Sequence, residues 1–413
     1  MEKPTLSMKE RDRRFELARD LMKEKGLECL VAGPGNTYYS PDYFDAWFSN
    51  DNATGYVIMP LNSEPVYSVW SPMHGTLRML ANKSRGIPPW IEDYRVSVPC
   101  IKGIVDVLRE RGLSSGQIGV IGLNLQGPGA IGGIAHGSWL YVLKELPEAN
   151  FVDVTRPFIE RCRVKSEEEV ALARYVCHVG ELCCEAMLKA TKSGVSETKI
   201  YATTMATAFE NAAMSLHVIM QTGINNVGWG LPVWTYQAQE PPVLGKGDAI
   251  QAELFQDYGG IEAQEQMTIV TKPVASFTRE LADICRRSYD IALKVMRPGI
   301  TFGEVCDAVE KPVIEAGCWY AMPLVHTLSP HGGINSGTNI GLDKVPEFQG
   351  MGFTDNKMTD ASRQLLLKPN MLFEVQPNAC RGLNRVNIGG NVLITENGVE
   401  ELNKIPTEMH VVS

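Results

Sequence analysis

Between Leu244 and Val270 the chain reads LGKGDAIQAELFQDYGGIEAQEQMTIV. The pattern predicts a strand from Asp248 to Phe255, a turn at Asp257-Tyr258-Gly259-Gly260, and a return strand from Ile261 to Val270. Strand side chains alternate between faces. Gln251, Glu253 and Phe255 therefore share one face, and so do Glu262, Gln264 and Gln266. A buried sheet carries Val and Ile at such places; carboxylates and amides there cost free energy unless paired or used. The stretch reads as the floor of a small-molecule site, although a solvated face of an edge hairpin would carry the same residues. Glu253 and Glu262 offer a carboxylate pair on one sheet, the residue type that general acid–base chemistry uses. His326 and His331 lie five residues apart in VHTLSPHGG and add the side chain that most often moves protons, or two histidines held by backbone. His217, inside LHVIM, reads as structural.

Other elements must position these groups. Met8 to Lys25 is an amphipathic helix with Phe15, Ala18, Leu21 and Met22 on one face, stopped by Gly26. Strands are expected at Leu27 to Val31, Tyr56 to Met59, Val66 to Val69 and Gln117 to Leu123, with a helix from Ile101 to Arg111. This alternation describes an α/β domain over residues 1–155, leaving 156–413 as a second domain. Gly127-Pro128-Gly129-Ala130-Ile131-Gly132 matches a dinucleotide fingerprint letter for letter. Pro128 and the missing acidic strand end make it a loop instead. Ser166 and Glu169 form a capping box that starts a long helix. Leu188 to Ser196 aligns without gaps on Leu293 to Thr301. Each segment ends a helix, breaks at Gly and caps a new helix with Ser or Thr, so the second domain is expected to be a duplicated helix–helix–strand unit. MLFEVQPN and VNIGGNVLITENG supply further strands.

The 413 residues are 44% hydrophobic and 21% charged, with a net charge of −9. That balance argues against a nucleic-acid or anionic-membrane partner. No apolar run is long enough to span a membrane, and the amino-terminal stretch lacks the apolar core of a signal peptide. The ten cysteines form no C-x-x-C pair and are expected to be reduced, in a cytoplasmic protein.

KSEEEVALAR, the two Gly-Ser/Thr breaks, GDAIQAELFQDYGG, PHGGIN, MLFEVQPN and VLITENG occur in an order and spacing that resembles the pitta-bread superfamily of creatinase, aminopeptidase P and prolidase. The resemblance implies an α/β amino-terminal domain, an α+β pitta-bread domain with pseudo-twofold duplicated halves, and a homodimer. In such dimers a loop matching Trp47 to Asn52, with Phe48 at its centre, reaches the neighbouring subunit's site. The resemblance also places the family's five metal ligands on Glu253, Gln264, Asn335, Gln376 and Gly389. One carboxylate among these five is too little charge for a metal pair, so no metal and no cofactor are expected.

Creatinase, the metal-free member, then implies hydrolysis of a C–N bond in a small polar substrate. Glu253 is the expected base, its pKa raised by burial among amides. His331, Glu262 or His326 would donate the proton. Gln264, Gln266, Asn335 and Gln376 would line a neutral polar pocket. Arg385 or Arg381 would take a substrate carboxylate. Trp229, Trp234 and Tyr236 would stack on a flat substrate or simply pack. A non-hydrolytic lyase and a non-catalytic small-molecule binding protein are the alternatives, and a metallo Xaa-Pro peptidase fits least.

Overall fold

A computed structural model of the chain describes residues 1–34, 44–51, 53–123, 133–224, 227–329, 334–338, 340–353 and 356–413. His331 and the glycine-rich 127–132 segment lie outside them. The described residues form two compact units: Thr5–Arg163, and the chain from Val164 onward together with Met1–Pro4. The boundary falls later than 155 because Thr155–Cys162 is a helix whose Phe158 and Ile159 pack into the first unit's core.

The first unit runs α1 (Met8–Lys25), β1 (Cys29–Ala32), α2 (Phe44–Ser49), β2 (Gly55–Pro60), β3 (Val66–Val69), α3 (Thr76–Ser84), β4 (Asp93–Val96), α4 (Lys102–Glu110), β5 (Gln117–Ile121), α5 (His136–Glu145), β6 (Asn150–Asp153) and α6 (Thr155–Cys162). Its strands make one mixed sheet in the order β4-β3-β2-β1-β5-β6. Local signals set α1. The Ser7 hydroxyl accepts from the first-turn amides, and Gly26 closes the helix at φ 64°. Phe48 departs from expectation. It sits in helix α2 and is fully buried against Phe15, Trp47 and Phe158. An aromatic spent on its own core is not presented to a neighbouring subunit, so Phe48 is withdrawn as a substrate contact.

The second unit runs α7 (Glu167–Ala190), α8 (Glu197–Glu210), β7 (Met214–Gly223), β8 (Ala249–Tyr258), β9 (Ile261–Thr271), α9 (Ser276–Val295), α10 (Phe302–Glu315), β10 (Val325–Thr327), α11 (Asp360–Arg363), β11 (Leu372–Val375), β12 (Asn378–Arg381), β13 (Asn384–Asn387), β14 (Gly390–Ile394), β15 (Val399–Glu401) and β16 (His410–Val412). One sheet has the order β16-β9-β8-β7 and another β10-β11-β14-β15, with β12-β13 as a separate ribbon. Helices α7 and α8 cover the first sheet through Val179, Cys183, Met187, Leu254 and Met267. Helices α9 and α10 cover the second in the same way.

The duplication is visible in hydrogen bonds. Gly194 N donates to Leu244 O, and Gly299 N to Leu367 O; Leu244 N returns to Val195 O, and Leu367 N to Ile300 O. Gly194 and Gly299 both take left-handed φ, 87° and 84°. The β8–β9 hairpin is central rather than at an edge, flanked by β7 and β16. Its strands run further than expected because the turn is only Gly259-Gly260, both at positive φ, the geometry that suits a two-residue hairpin.

Candidate active site

The register Glu253↔Gln266, Phe255↔Gln264 and Gln251↔Thr268 confirms that the polar residues of the two strands share a face. Strand β10 pairs with β11 so that His326 lies opposite Glu374. These strands bring Glu253, His326 and Glu374 together, with one ligand-capable atom of each within 4.8 Å of the others. His326 Nε2 is 3.1 Å from Glu374 Oε2, and His326 Nδ1 is 3.0 Å from the carbonyl of Thr327. A carbonyl only accepts, so Nδ1 carries a proton and Nε2 faces the Glu374 carboxyl. Glu374 is fully buried, whereas the His326 side chain keeps 14% exposure. His326 is thus the outward member of the pair, and Glu374 stands behind it.

Around the trio runs a network of amides. Gln266 donates to Gln376 Oε1 at 2.5 Å and accepts from Asn387 Nδ2 at 2.9 Å. The Gln266 amide also lies beside the carboxyls of Glu253 and Glu374 and favours their charged forms. Gln264 donates to Glu262, whose backbone N–H donates to Ser329 Oγ at 2.8 Å. Thr268 Oγ1 donates to Asn387 O at 2.8 Å. Gln264 and Gln266 share the sheet face with Glu253, and Gln264, Gln266 and Gln376 spend their amides on one another and on the carboxyls. Asn335 forms a bridge with the backbone of His326 and turns its side-chain oxygen to the N–H of Gly337 at 2.9 Å.

Charge in this site is set by burial. Desolvation first, then the charge of Glu374, push Glu253 well above the ordinary carboxyl range; His326 and Gln266 oppose this. Glu374 is raised by desolvation and then by Glu262. On the opposite face Glu265 is also raised, again mainly by burial, and its carboxylate accepts from Asn391 Nδ2 at 3.0 Å. All ten cysteines are free, and burial pushes the thiols of Cys29 and Cys380 up to about 12, which removes them as nucleophiles at neutral pH.

Arg385 is 2% exposed. Its Nε donates to Gln251 Oε1 at 2.5 Å, and its terminal nitrogens to Val227 O and Gly228 O at 3.2 and 2.9 Å. The guanidinium lies 4.7 Å from the centre of the Trp229 ring. Arg381 instead reaches Glu280 on the exposed side, and Trp234 donates to Glu197. Tyr236 is 79% exposed at the end of a short 3₁₀ turn, so it is a surface residue in this structure rather than a wall of the cluster. The group missed by sequence reasoning is Glu374. Its signal was present: a lone carboxylate inside MLFEV, two residues before Gln376 and therefore on the same strand face.

Residues 171–396 match the model of Metallopeptidase family M24, and the chain belongs to that family. Its fold is the pitta-bread fold of the creatinase, aminopeptidase P and prolidase superfamily. Creatinase of Bacillus sp. (strain B-0618) is 21% identical over 429 residues, spanning 98% of this chain and 93% of that protein. Agropine synthesis cyclase of Rhizobium rhizogenes is 27% identical over 137 residues, 32% of this chain and 29% of that protein. The Xaa-Pro dipeptidase from Bacillus anthracis superposes with a TM-score of 0.73 at 15% identity, covering 97% of this chain and all of that one (100%).

The family description implies metal ions. The donors that the resemblance assigns do not suit two of them: Gln264 and Gln376 are neutral and engaged, and Gly389 has no side chain. A Cβ at Gly389 would stand 2.8 Å from Gln266 Cγ and 2.8 Å from Val375 O, so the Gln266 stem and the β11 backbone occupy that space. The trio Glu253, His326 and Glu374 does suit one cation, with two carboxyls, an imidazole whose Nε2 faces them, and a buried Glu374 Oε1 without a hydrogen-bond partner among the described residues.

Proposed function

We propose that this protein is a metal-independent hydrolase that cleaves a C–N bond of a small polar substrate. The observation that carries the reading is the buried Glu253–His326–Glu374 cluster with its defined imidazole tautomer. In its ionised form Glu253 accepts a proton from water as the oxygen bonds to the substrate carbon; burial and the charge of Glu374, which raise its pKa, make that carboxylate a stronger base. The C–N bond breaks, and the departing nitrogen takes the proton that His326 Nε2 shares with Glu374. Glu374 does not touch substrate; it holds that proton and the ring orientation. The fold's hydrolase relatives and the neutral amides at the family's metal positions support this reading.

Turnover in H₂¹⁸O tests the reaction class. One ¹⁸O in the acyl product is expected. A product without ¹⁸O would replace hydrolysis by elimination or cyclisation, a reading that the partial likeness to a cyclase favours. Elemental analysis tests the metal. Well below one equivalent is expected, with turnover unchanged by chelator; two bound equivalents and chelator-sensitive turnover would overturn metal independence. The cluster's own geometry favours a second reading, one divalent ion on Glu253, His326 and Glu374, which would supply a Lewis acid for the substrate carbonyl. One equivalent of metal, lost in Glu374→Gln, would select it.

A further inference from the structure

The two halves of the second unit meet where β9 runs beside the stretch from Asn387 to Asn391. Among the described residues, one pair of backbone hydrogen bonds joins them there: Gln266 N donates to Gly389 O at 3.3 Å, and Gly389 N to Gln266 O at 3.2 Å. In an antiparallel ladder such pairs recur at every second residue, one strand counting up as the other counts down. The next pairs in this register are Gln264 with Asn391 and Thr268 with Asn387. At both, a side chain stands where a backbone bond would close. Gln264 N donates to Asn391 Oδ1 at 3.0 Å rather than to its carbonyl. Thr268 Oγ1 donates to Asn387 O at 2.8 Å and accepts from Asn387 N at 3.0 Å. The strands therefore splay on either side of one backbone contact, and side chains span the gap. The apolar cores are separate as well. One lies under α7 and α8, the other under α9 and α10, and among the described residues the two share no side chain.

This seam divides the Glu253–His326–Glu374 cluster. Glu253 pairs with Gln266 across β8–β9, and Glu374 pairs with Asn391 across β11–β14. Each carboxyl thus lies one strand back from the seam, on opposite sides of it, and His326 goes with Glu374. A backbone ladder holds its strands at one spacing, whereas a side chain follows a moving partner by turning about its rotatable bonds. We infer that the seam is a hinge about the Gln266–Gly389 contact, and that Thr268, Asn387 and Asn391 are positioning residues that fix how far Glu253 stands from His326 and Glu374. All three are fully buried and act through the strands they tie. The inference rests on the proposed hydrolysis only for the use made of that separation. A hinge of this kind is confined to a few residues, and the packed cores on either side move as bodies.

Amide hydrogen exchange in the full chain tests the hinge. Thr268→Val keeps the side-chain shape and removes the hydroxyl. It is expected to speed exchange of the Gln266 and Gly389 amides, whose own bonds it leaves in place, by roughly tenfold or more, while the β8–β9 and β11–β14 ladders inside each half keep their rates. Thr268→Ser restores the hydroxyl and is expected to return both amides to the parent rate. Exchange that rises alike in all the ladders, or that stays unchanged at Gln266 and Gly389, would overturn the hinge. Histidine ring NMR at neutral pH tests the positioning. Glu253→Gln is expected to move the His326 Cε1 resonance, assigned by its loss in His326→Gln, because the two side chains bring atoms within 4.8 Å of each other. In an Asn391→Ala background the same substitution is expected to move it by roughly half as much or less. Should Asn391→Ala fail to fold, Thr268→Val serves for the same comparison. An undiminished response would overturn the positioning role. Neither measurement uses turnover, so the seam can fail while the hydrolysis stands, and turnover in H₂¹⁸O can fail while the seam stands.

Discussion

At the scale of single residues, the tautomer of His326 governs the chemistry. With Nδ1 donating to Thr327 O, the only mobile proton of the ring lies between Nε2 and Glu374. Glu374→Gln preserves a donor for Nε2 but removes the shared proton. Its expected effect is a fall in kcat with KM unchanged, since the side chain is fully buried behind the ring; a matching rise in KM would mean that Glu374 touches substrate after all. Glu253→Gln is expected to lower kcat by about 10²–10⁴-fold, the range for loss of a general base, with the thermal transition intact. A variant that retains full kcat would remove Glu253 from the mechanism.

At the scale of elements, the β8–β9 hairpin does two jobs because its faces alternate. The inner face carries Glu253, Gln264 and Gln266; the outer face packs on α7 and carries Glu265 among apolar residues. Gly180 on α7 makes room for it. A Cβ at Gly180 would overlap the Glu265 carboxylate, which is held by Asn391. Gly180→Ala is therefore expected to destabilise the protein by about 1–3 kcal/mol, the usual cost of overpacking. In a Glu265→Ala background the cost should shrink, a coupling that denaturant melts of the double-mutant cycle would measure. An undiminished cost would place the strain in the helix itself.

For the molecule as a whole, the buried carboxyls set an unusual dependence of stability on pH. Glu253, Glu265 and Glu374 are all raised above their ordinary value of 4.5 by burial. Between that value and the raised one the folded state binds more protons than the unfolded chain, so their contribution is complete below about pH 4.5 and is lost as pH rises. Glu10, Glu304 and Glu400 are lowered and give the opposite slope, but only in the acid range. His217 and His410, lowered by burial, give the opposite slope below the ordinary histidine value of 6.5, so the urea midpoint of the parent is expected to fall from about pH 7 to about 8.5, above the ordinary values of both residue types. Glu265→Gln should flatten that fall. A midpoint that rises over the same range would show that the three carboxyls are ionised in the folded state.

The sequence by itself determined the local elements. α1 from Met8 to Lys25, the capping box at Ser166 and Glu169, the matched breaks at Gly194 and Gly299, and the common face of Glu253, Gln264 and Gln266 all stand as read. Each depends on periodicity or on a cap within a few residues, so the chain alone carries the signal. Only the tertiary structure decided that His326 and Glu374, distant in sequence from Glu253, complete its cluster, that Phe48 belongs to a core, and that the Arg385 guanidinium is buried against Gln251 and two backbone carbonyls. Strand pairing and burial are settled by packing between remote segments. Composition shows that a polar side chain must find a partner, but the pairing of the strands decides which one.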